Sequence, residues 1–389
     1  MKFNKWTIGL AAVGVVSLAS AVKAEETANT VLTSLSSTTL SGYVDTSIQW
    51  NLGTGNENNP PYSFGGAGKA DGFNLNVVQL TLDKPLDESE WASGYHVDLW
   101  FGPDANALGT SSSGDSTDFA IRQAYVALRT PIGNGIEWKI GVFDTIIGYE
   151  SVASPANPNY TRSYGQTIEP QTHTGVLASY RVNDNLSLAA GIANTIGPQI
   201  NGRAFPTKAE SYKTYMGSIS VTAPDSWGFL AGSTMYAGVV NGFNDGRSLV
   251  QSSWYAGTTL ATPIAGLRLG AAFDYLDIHG QKFGPDQTSD AWALGLYASY
   301  QATEKLSLHG RAEYLDDQAD VFTAIPGTGF KVWALTTTLQ YDLWKNVLSR
   351  LEFRWDHSDS GKLFGNNGSS SNPSRKNAVM VAANIIYKF

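Results

Sequence analysis

The sequence predicts an all-β chain: a single transmembrane antiparallel up-and-down β-barrel of about 16 strands, with short periplasmic turns and long extracellular loops. Three observations predict it. The last segment alternates Val379, Val381, Ala383, Ile385, Tyr387 and Phe389 with Met380, Ala382, Asn384, Ile386 and Lys388, a strand with one greasy face that ends on an aromatic residue. Alternating segments of about ten residues recur along the chain, and their connections run long, short, long, short. The composition is rich in Gly (40), Tyr (18), Phe (16) and Trp (11), yet only 15% charged, with no long apolar run beyond residue 21. A barrel needs only alternate residues to be apolar, and it places aromatics at both interfaces.

The chain opens with Lys2 and Lys5, an apolar stretch over 6–21 and the small-residue site Val22-Lys23-Ala24. This pattern predicts a secretory signal over 1–24, too short to span a bilayer, which takes about 20 apolar residues. Residues 25–39 form a short Ser/Thr-rich periplasmic lead. The barrel domain is expected over 40–389. Its strands are expected at 40–51, 73–83, 92–101, 119–130, 135–143, 172–182, 185–194, 213–223, 229–240, 252–262, 266–277, 290–301, 304–315, 331–343, 346–357 and 377–389.

The pattern is clearest late in the chain. Trp333, Leu335, Thr337, Leu339, Tyr341 and Leu343 oppose Ala334, Thr336, Thr338, Gln340 and Asp342; Val347, Leu351, Phe353 and Trp355 oppose Arg350, Glu352, Arg354 and Asp356. One face suits lipid and the other a wet lumen. The long polar loops are 52–72, 102–118, 144–171, 195–212, 241–251, 278–289, 316–330 and 358–376. An even strand count puts both ends on the periplasmic side. Closure satisfies every backbone group within lipid and leaves no sheet edge.

The net charge of −8 argues against a nucleic-acid partner. The absence of Cys excludes disulfides, thiol catalysis and thiolate metal ligation. No cofactor is expected. Asp316, Asp317 and Asp320 lack the EF-hand spacing and read as a solvated acidic loop rather than a Ca²⁺ site.

Residues 139–181 carry a more specific pattern: Gly141-Val142-Phe143, then Gly148-Tyr149-Glu150, then Ala156-Asn157-Pro158-Asn159-Tyr160-Thr161-Arg162-Ser163, then His173-Thr174-Gly175. This stretch resembles the OmpL-like outer-membrane β-barrel porins of Gram-negative bacteria, departing from their pattern at Tyr160-Thr161-Arg162. The resemblance implies a porin-like barrel but no particular substrate. In general porins the third outer loop folds into the lumen, and here that loop is 144–171. It carries Asp144, Glu150, Arg162 and Glu169, stiffened by Pro155, Pro158 and Pro170. With the inward wall residues Arg268, Arg311, Arg350 and Arg354 it is expected to form a pore constriction, acidic on one side and basic on the other, whose transverse field selects solutes.

The resulting expectation is passive diffusion of small hydrophilic solutes, with no catalytic residues. The wider partners expected are outer-membrane lipid and lipopolysaccharide, the barrel-assembly machinery through Phe389, and a homotrimer by analogy. Two alternatives remain: a barrel hydrolase with a rim site, which needs an inward Ser or Asp within reach of His96 or His357, and a plugged structural or adhesive barrel. Inward aromatics Trp100, Tyr125 and Tyr297 are candidates for carbohydrate stacking. Tyr341, Trp344, Tyr387 and Phe389 are expected to mark the periplasmic interface, and Trp50, Tyr275 and Trp355 the outer one.

Overall fold

The computed structural model describes residues 31–32, 37–61, 69–111, 117–204, 212–243, 249–281, 288–318, 329–366 and 372–389. The expected signal, most of the lead and Asp320 lie outside them.

Sixteen strands form the wall: β1 Thr39–Asn51, β2 Gly72–Lys84, β3 Ala92–Phe101, β4 Phe119–Thr130, β5 Ile136–Asp144, β6 Thr172–Asn183, β7 Leu186–Ala193, β8 Thr214–Thr222, β9 Thr234–Phe243, β10 Leu249–Ala261, β11 Leu267–Gln281, β12 Thr288–Gln301, β13 Leu306–Asp317, β14 Phe330–Trp344, β15 Val347–Ser358 and β16 Asn377–Lys388. Each pairs antiparallel with its sequence neighbours, and β16 pairs with β1 from Met380↔Asn51 to Lys388↔Tyr43, closing the barrel. A two-residue ladder, Val31–Leu32, adds onto the start of β1. No helix among the described residues is long and apolar enough to cross a membrane; the strands do so, paired side by side around a closed ladder.

All sixteen expected strands are present. The largest boundary change is at β9, which begins at Thr234 rather than 229. Residues Asp225–Leu230 instead form a 3₁₀ turn after Pro224, with Gly228 at φ 61°. Trp227 and Phe229 are apolar enough to mimic a strand but stand exposed outside the ladder.

The face assignment follows parity. Trp333, Leu335, Leu339, Leu351, Phe353, Ile385 and Tyr387 point outward and are exposed, whereas Ala334, Thr336, Arg350, Arg354, Met380 and Ile386 are buried inside. Among the expected interface aromatics, Trp50, Tyr341 and Trp344 likewise stand exposed.

The interior is less wet than simple alternation implies. Outer loops enter it, two of them with a short helix: α1 (Pro103–Leu108) in the second and α2 (Tyr164–Ile168) in the third. They build apolar clusters against the inner wall. Ile146, Ile147 and Tyr149 pack with Tyr236, Tyr255 and Tyr297; Tyr164 and Ile168 pack with Leu276, Leu315 and Val332; Ala105 and Leu108 pack with Trp100 and Val77.

Closure is tightest at Gly42. Gly42 and Phe389 exchange backbone hydrogen bonds of 2.9 and 3.0 Å. A Cβ at Gly42 would fall 2.1 Å from the Gln79 carbonyl oxygen and 2.8 Å from the Phe389 ring. Gly42→Val is therefore expected to abolish the compact, fast-migrating form on an unheated denaturing gel. Gly310→Ala, whose Cβ meets nothing within 4 Å, is expected to leave it intact.

Candidate functional site

The third outer loop leaves β5 at Asp144 and returns at Thr172. Its own side chains fold it first. Asn157 accepts from the Ser151 amide (2.7 Å) and donates to the carbonyls of Ser151 (2.7 Å) and Ala153 (2.8 Å). Arg162 spreads over the carbonyls of Ser151, Val152 and Tyr160. Ser163 caps α2, accepting from the Gln166 amide at 3.0 Å, as N-cap serines do. Gly148 sits at φ +121°, and a Cβ there would meet the Glu169 carboxylate at 2.4 Å, which explains a glycine two residues before Glu150.

The folded loop is then bonded to the opposite wall. Glu352 on β15 accepts from the Tyr160 amide (2.6 Å), the Thr161 amide (2.9 Å) and the Thr161 hydroxyl (2.6 Å). Glu313 on β13 accepts from the Tyr164 amide (2.7 Å), and the Tyr164 hydroxyl donates to Asp356 (2.8 Å). Arg311 donates to Glu150 (2.8 Å), to the Thr161 carbonyl (2.9 Å) and to Glu313 (2.7 Å). Arg354 donates to the Arg162 carbonyl (2.7 Å), and Arg350 to the carbonyls of Ser154 (3.1 Å) and Asn157. Asn159 donates to Thr338, and the Tyr160 hydroxyl bonds Ser47 and Gln49 on β1.

Four of the eight expected constriction residues, Glu150, Arg162, Arg311 and Arg354, thus meet in one buried cluster, and Arg350 holds the same loop nearby. The other three lie elsewhere. Asp144 forms a two-pronged pair with Arg122 (2.9 and 2.7 Å). Glu169 faces Asp274 on β11. Arg268 stands apart and exposed on an inward position of β11. Glu150 pairs with Arg311 rather than with Arg162. Arg311 and Arg354 are at most 1% exposed, and Arg350 is 3% exposed: their guanidinium groups serve loop oxygens rather than open water.

Parity reasoning missed Arg122. It sits at a bulge where Asp98 faces Gln123 and Leu99 faces Ile121, so Arg122 and Gln123 both turn inward. The bulge completes a ladder along the wall: Asp83 to His96 Nδ1 at 2.8 Å, His96 Nε2 to Asp98 at 3.1 Å, Asp98 to Arg122 at 2.8 Å, and Arg122 to Asp144. The roles of Tyr160 and Tyr164 were also missed, since a loop has no period to read. Lys69 from the first loop pairs with Asp104 of α1 and lies 5.9 Å over the Tyr160 ring, tying three loops together. Burial pushes the Asp104 carboxyl up to about 6 against the pull of Lys69. Of the aromatics proposed for sugar stacking, Trp100 is buried beside α1, Tyr297 is stacked on Tyr149 at 4.0 Å, and only Tyr125 is partly open.

A closed sixteen-stranded barrel with an apolar outer face and a charged, loop-occupied interior defines the porin class of outer-membrane proteins. Solved structures share the fold. OmpT of Vibrio cholerae, in trimer form, matches with a TM-score of 0.59 at 13% identity, covering 90% of this chain and 99% of that one. The anion-selective porin from Comamonas acidovorans matches with a TM-score of 0.60 at 12% identity over 91% and 99%. The outer-membrane channel DcaP of Acinetobacter baumannii matches with a TM-score of 0.56 at 13% identity over 90% and 97%. No curated protein matches by sequence. The family model described as "beta-barrel porin-2, OmpL-like" matches residues 37–389, and the chain belongs to that family. It is a bacterial outer-membrane porin.

Two predictions follow from the docking geometry. Glu352→Ala orphans two buried amides at about 1–3 kcal/mol each. Denaturant unfolding is expected to show a loss of that order, with Glu352→Gln losing less because one acceptor oxygen remains. The second concerns pH. Burial first, then the charge of Asp274 and its hydrogen bond, and then Glu150, raise the Glu169 carboxyl well above its ordinary range. A raised acid keeps its proton in the folded state, so its contribution is full at low pH and falls as pH rises from the ordinary carboxylate value through the raised one. Thermal stability is expected to fall across that window in the native chain and to fall less steeply in Glu169→Gln, where the raised Asp104 carboxyl still contributes. An identical slope in both proteins would rule out Glu169 as its source.

Proposed function

We propose that small hydrophilic solutes diffuse passively through this barrel, along a passage narrowed by loop 144–171. The observation that carries the reading is the bonding of that loop to the far wall, from Glu150–Arg311 to Tyr160–Glu352. The bonds hold the loop across the interior instead of outside it. Solvent reaches inward positions at Arg268 and, near the periplasmic turns, at Glu137, Lys139, Ser179 and Arg181. We also propose that the outward face meets lipid and lipopolysaccharide, that the strand ending at Phe389 engages the barrel-assembly machinery, and that the chain assembles as a homotrimer.

The side-chain geometry favours a channel over the hydrolase alternative. His96 has a carboxylate on each ring nitrogen, and Asp98 is also held by Arg122 and Thr81. Neither nitrogen is left to take a proton from water. His357 bonds Asn377 at 2.8 Å and stacks on Trp355 on the outward face, 3.7 Å from the exposed Asp359, and His309 sits between the hydroxyls of Ser299 and Ser307 without a carboxylate.

Planar-bilayer recording of the purified protein is expected to show stepwise openings; a silent membrane would overturn the channel reading. Glu150→Gln leaves Arg311 with one carboxylate fewer and is expected to shift selectivity toward anions. Arg350 makes no ion pair among the described residues, so Arg350→Gln removes an uncompensated cation and is expected to shift it toward cations. Reversal potentials in a salt gradient measure both shifts. Unchanged values in both variants would remove these two residues from the constriction.

A further inference from the structure

We propose that the recess at the periplasmic end of the inner wall, beneath Lys139, is a binding site for a small carboxylate carried on a single ring. The proposal rests on the reading of the barrel as a solute channel and names a solute class for it.

The recess has a volume of about 140 Å³. An apolar cavity of about 150 Å³ accepts one benzene ring, so the space is large enough for a six-membered ring. Pro85, Leu86, Tyr125 and Ala127 give it an apolar side. The charge balance sets the sign of the ligand. Lys84, Lys139 and Arg181 line it against Asp83 and Glu137. Both carboxylates are engaged, and so is Arg181: Asp83 bonds His96 at 2.8 Å, Glu137 pairs with Arg129 at 2.7 Å, and Arg181 pairs with Asp184 at 3.0 Å, so the cations of the recess without an ion pair among the described residues are Lys84 and Lys139. Beyond the recess, Asp144 is held by Arg122. Among the described residues Lys139 makes no ion pair; its ammonium lies 4.8 Å from the centroid of the Tyr125 ring, which stacks on His96 at 5.3 Å. A half-buried ammonium that lies over a ring face and makes no ion pair among the described residues leaves room for one anion. The same Tyr125 flanks that position, so a ligand with its carboxylate on Lys139 brings its ring onto an apolar surface. A bare inorganic anion would leave that surface wet, and a zwitterion or cation would set a second positive charge beside Lys139.

The test is calorimetric titration of the full chain in detergent micelles with benzoate, acetate and benzylammonium. Benzoate is expected to bind one to one, acetate at least about tenfold more weakly, and benzylammonium not at all. Lys139→Gln is expected to weaken benzoate about tenfold or more, and Lys139→Arg to retain most of the affinity. Equal binding of acetate and benzoate, or an unchanged Lys139→Gln, would overturn the site. Titration needs no conductance, so the two readings fail separately. A barrel that is silent in bilayers yet binds benzoate keeps the site and loses the channel; one that conducts without binding benzoate does the reverse.

Discussion

A loop that enters a barrel gives up water for every amide and carbonyl it carries, and each one left bare costs about 1–3 kcal/mol. That constraint organises the interior of this protein. Glu352 and Glu313 face the amides of Tyr160, Thr161 and Tyr164, while Arg311, Arg350 and Arg354 face the carbonyls of Ser154, Asn157, Thr161 and Arg162. Carboxylates meet donors and guanidinium groups meet acceptors, in one docking surface spread over β13 and β15. The apolar clusters around Tyr149 and Tyr164 add burial, but burial alone does not fix which backbone atom lies against which strand.

The same constraint explains what could be read from the chain. A period of two gives the face of every regular strand, so the wall charges at 311, 350 and 354 were legible as inward. It does not give their partners. Alternation is equally consistent with arginines that line open water and arginines that bind a loop, because both require only that the side chain point in. The distinction lay in 144–171, where folding depends on single side chains such as Asn157 and Arg162 rather than on any repeat. Bulges erase even the facing information. At Arg122 and Gln123, as at Asn76 and Val77, two successive residues point inward, and an alternating template assigns one of each pair to lipid. At 225–230, apolar residues that match a strand were lifted out of the ladder by Pro224 and Gly228.

The family-like stretch gains a physical meaning from this arrangement. Gly148 clears space for Glu169, Glu150 reaches Arg311, Asn157 staples the loop to itself, and Ser163 starts α2 where Tyr164 can reach Glu313 and Asp356. The departure at Tyr160-Thr161-Arg162 is part of the same machinery, since the Tyr160 hydroxyl extends the docking to Ser47 and Gln49 on β1. The residues of this family-like stretch therefore act on the position of a loop.

Charges spent on docking are not free to act on solutes. Glu150 and Arg311 neutralise each other, and Arg354 is held by Asp356 at 2.9 Å. Such pairs project little field into a passage, because opposite charges a few ångströms apart appear from a distance as a dipole. The exceptions are cations that make no ion pair among the described residues, such as Arg350 beneath the loop, Arg268 on β11 and Lys139 near the periplasmic turns. In a chain with a net charge of −8, their positions carry more information about selectivity than the total does. A permeating anion responds to the charges within about a Debye length of its path, roughly 8 Å in physiological salt.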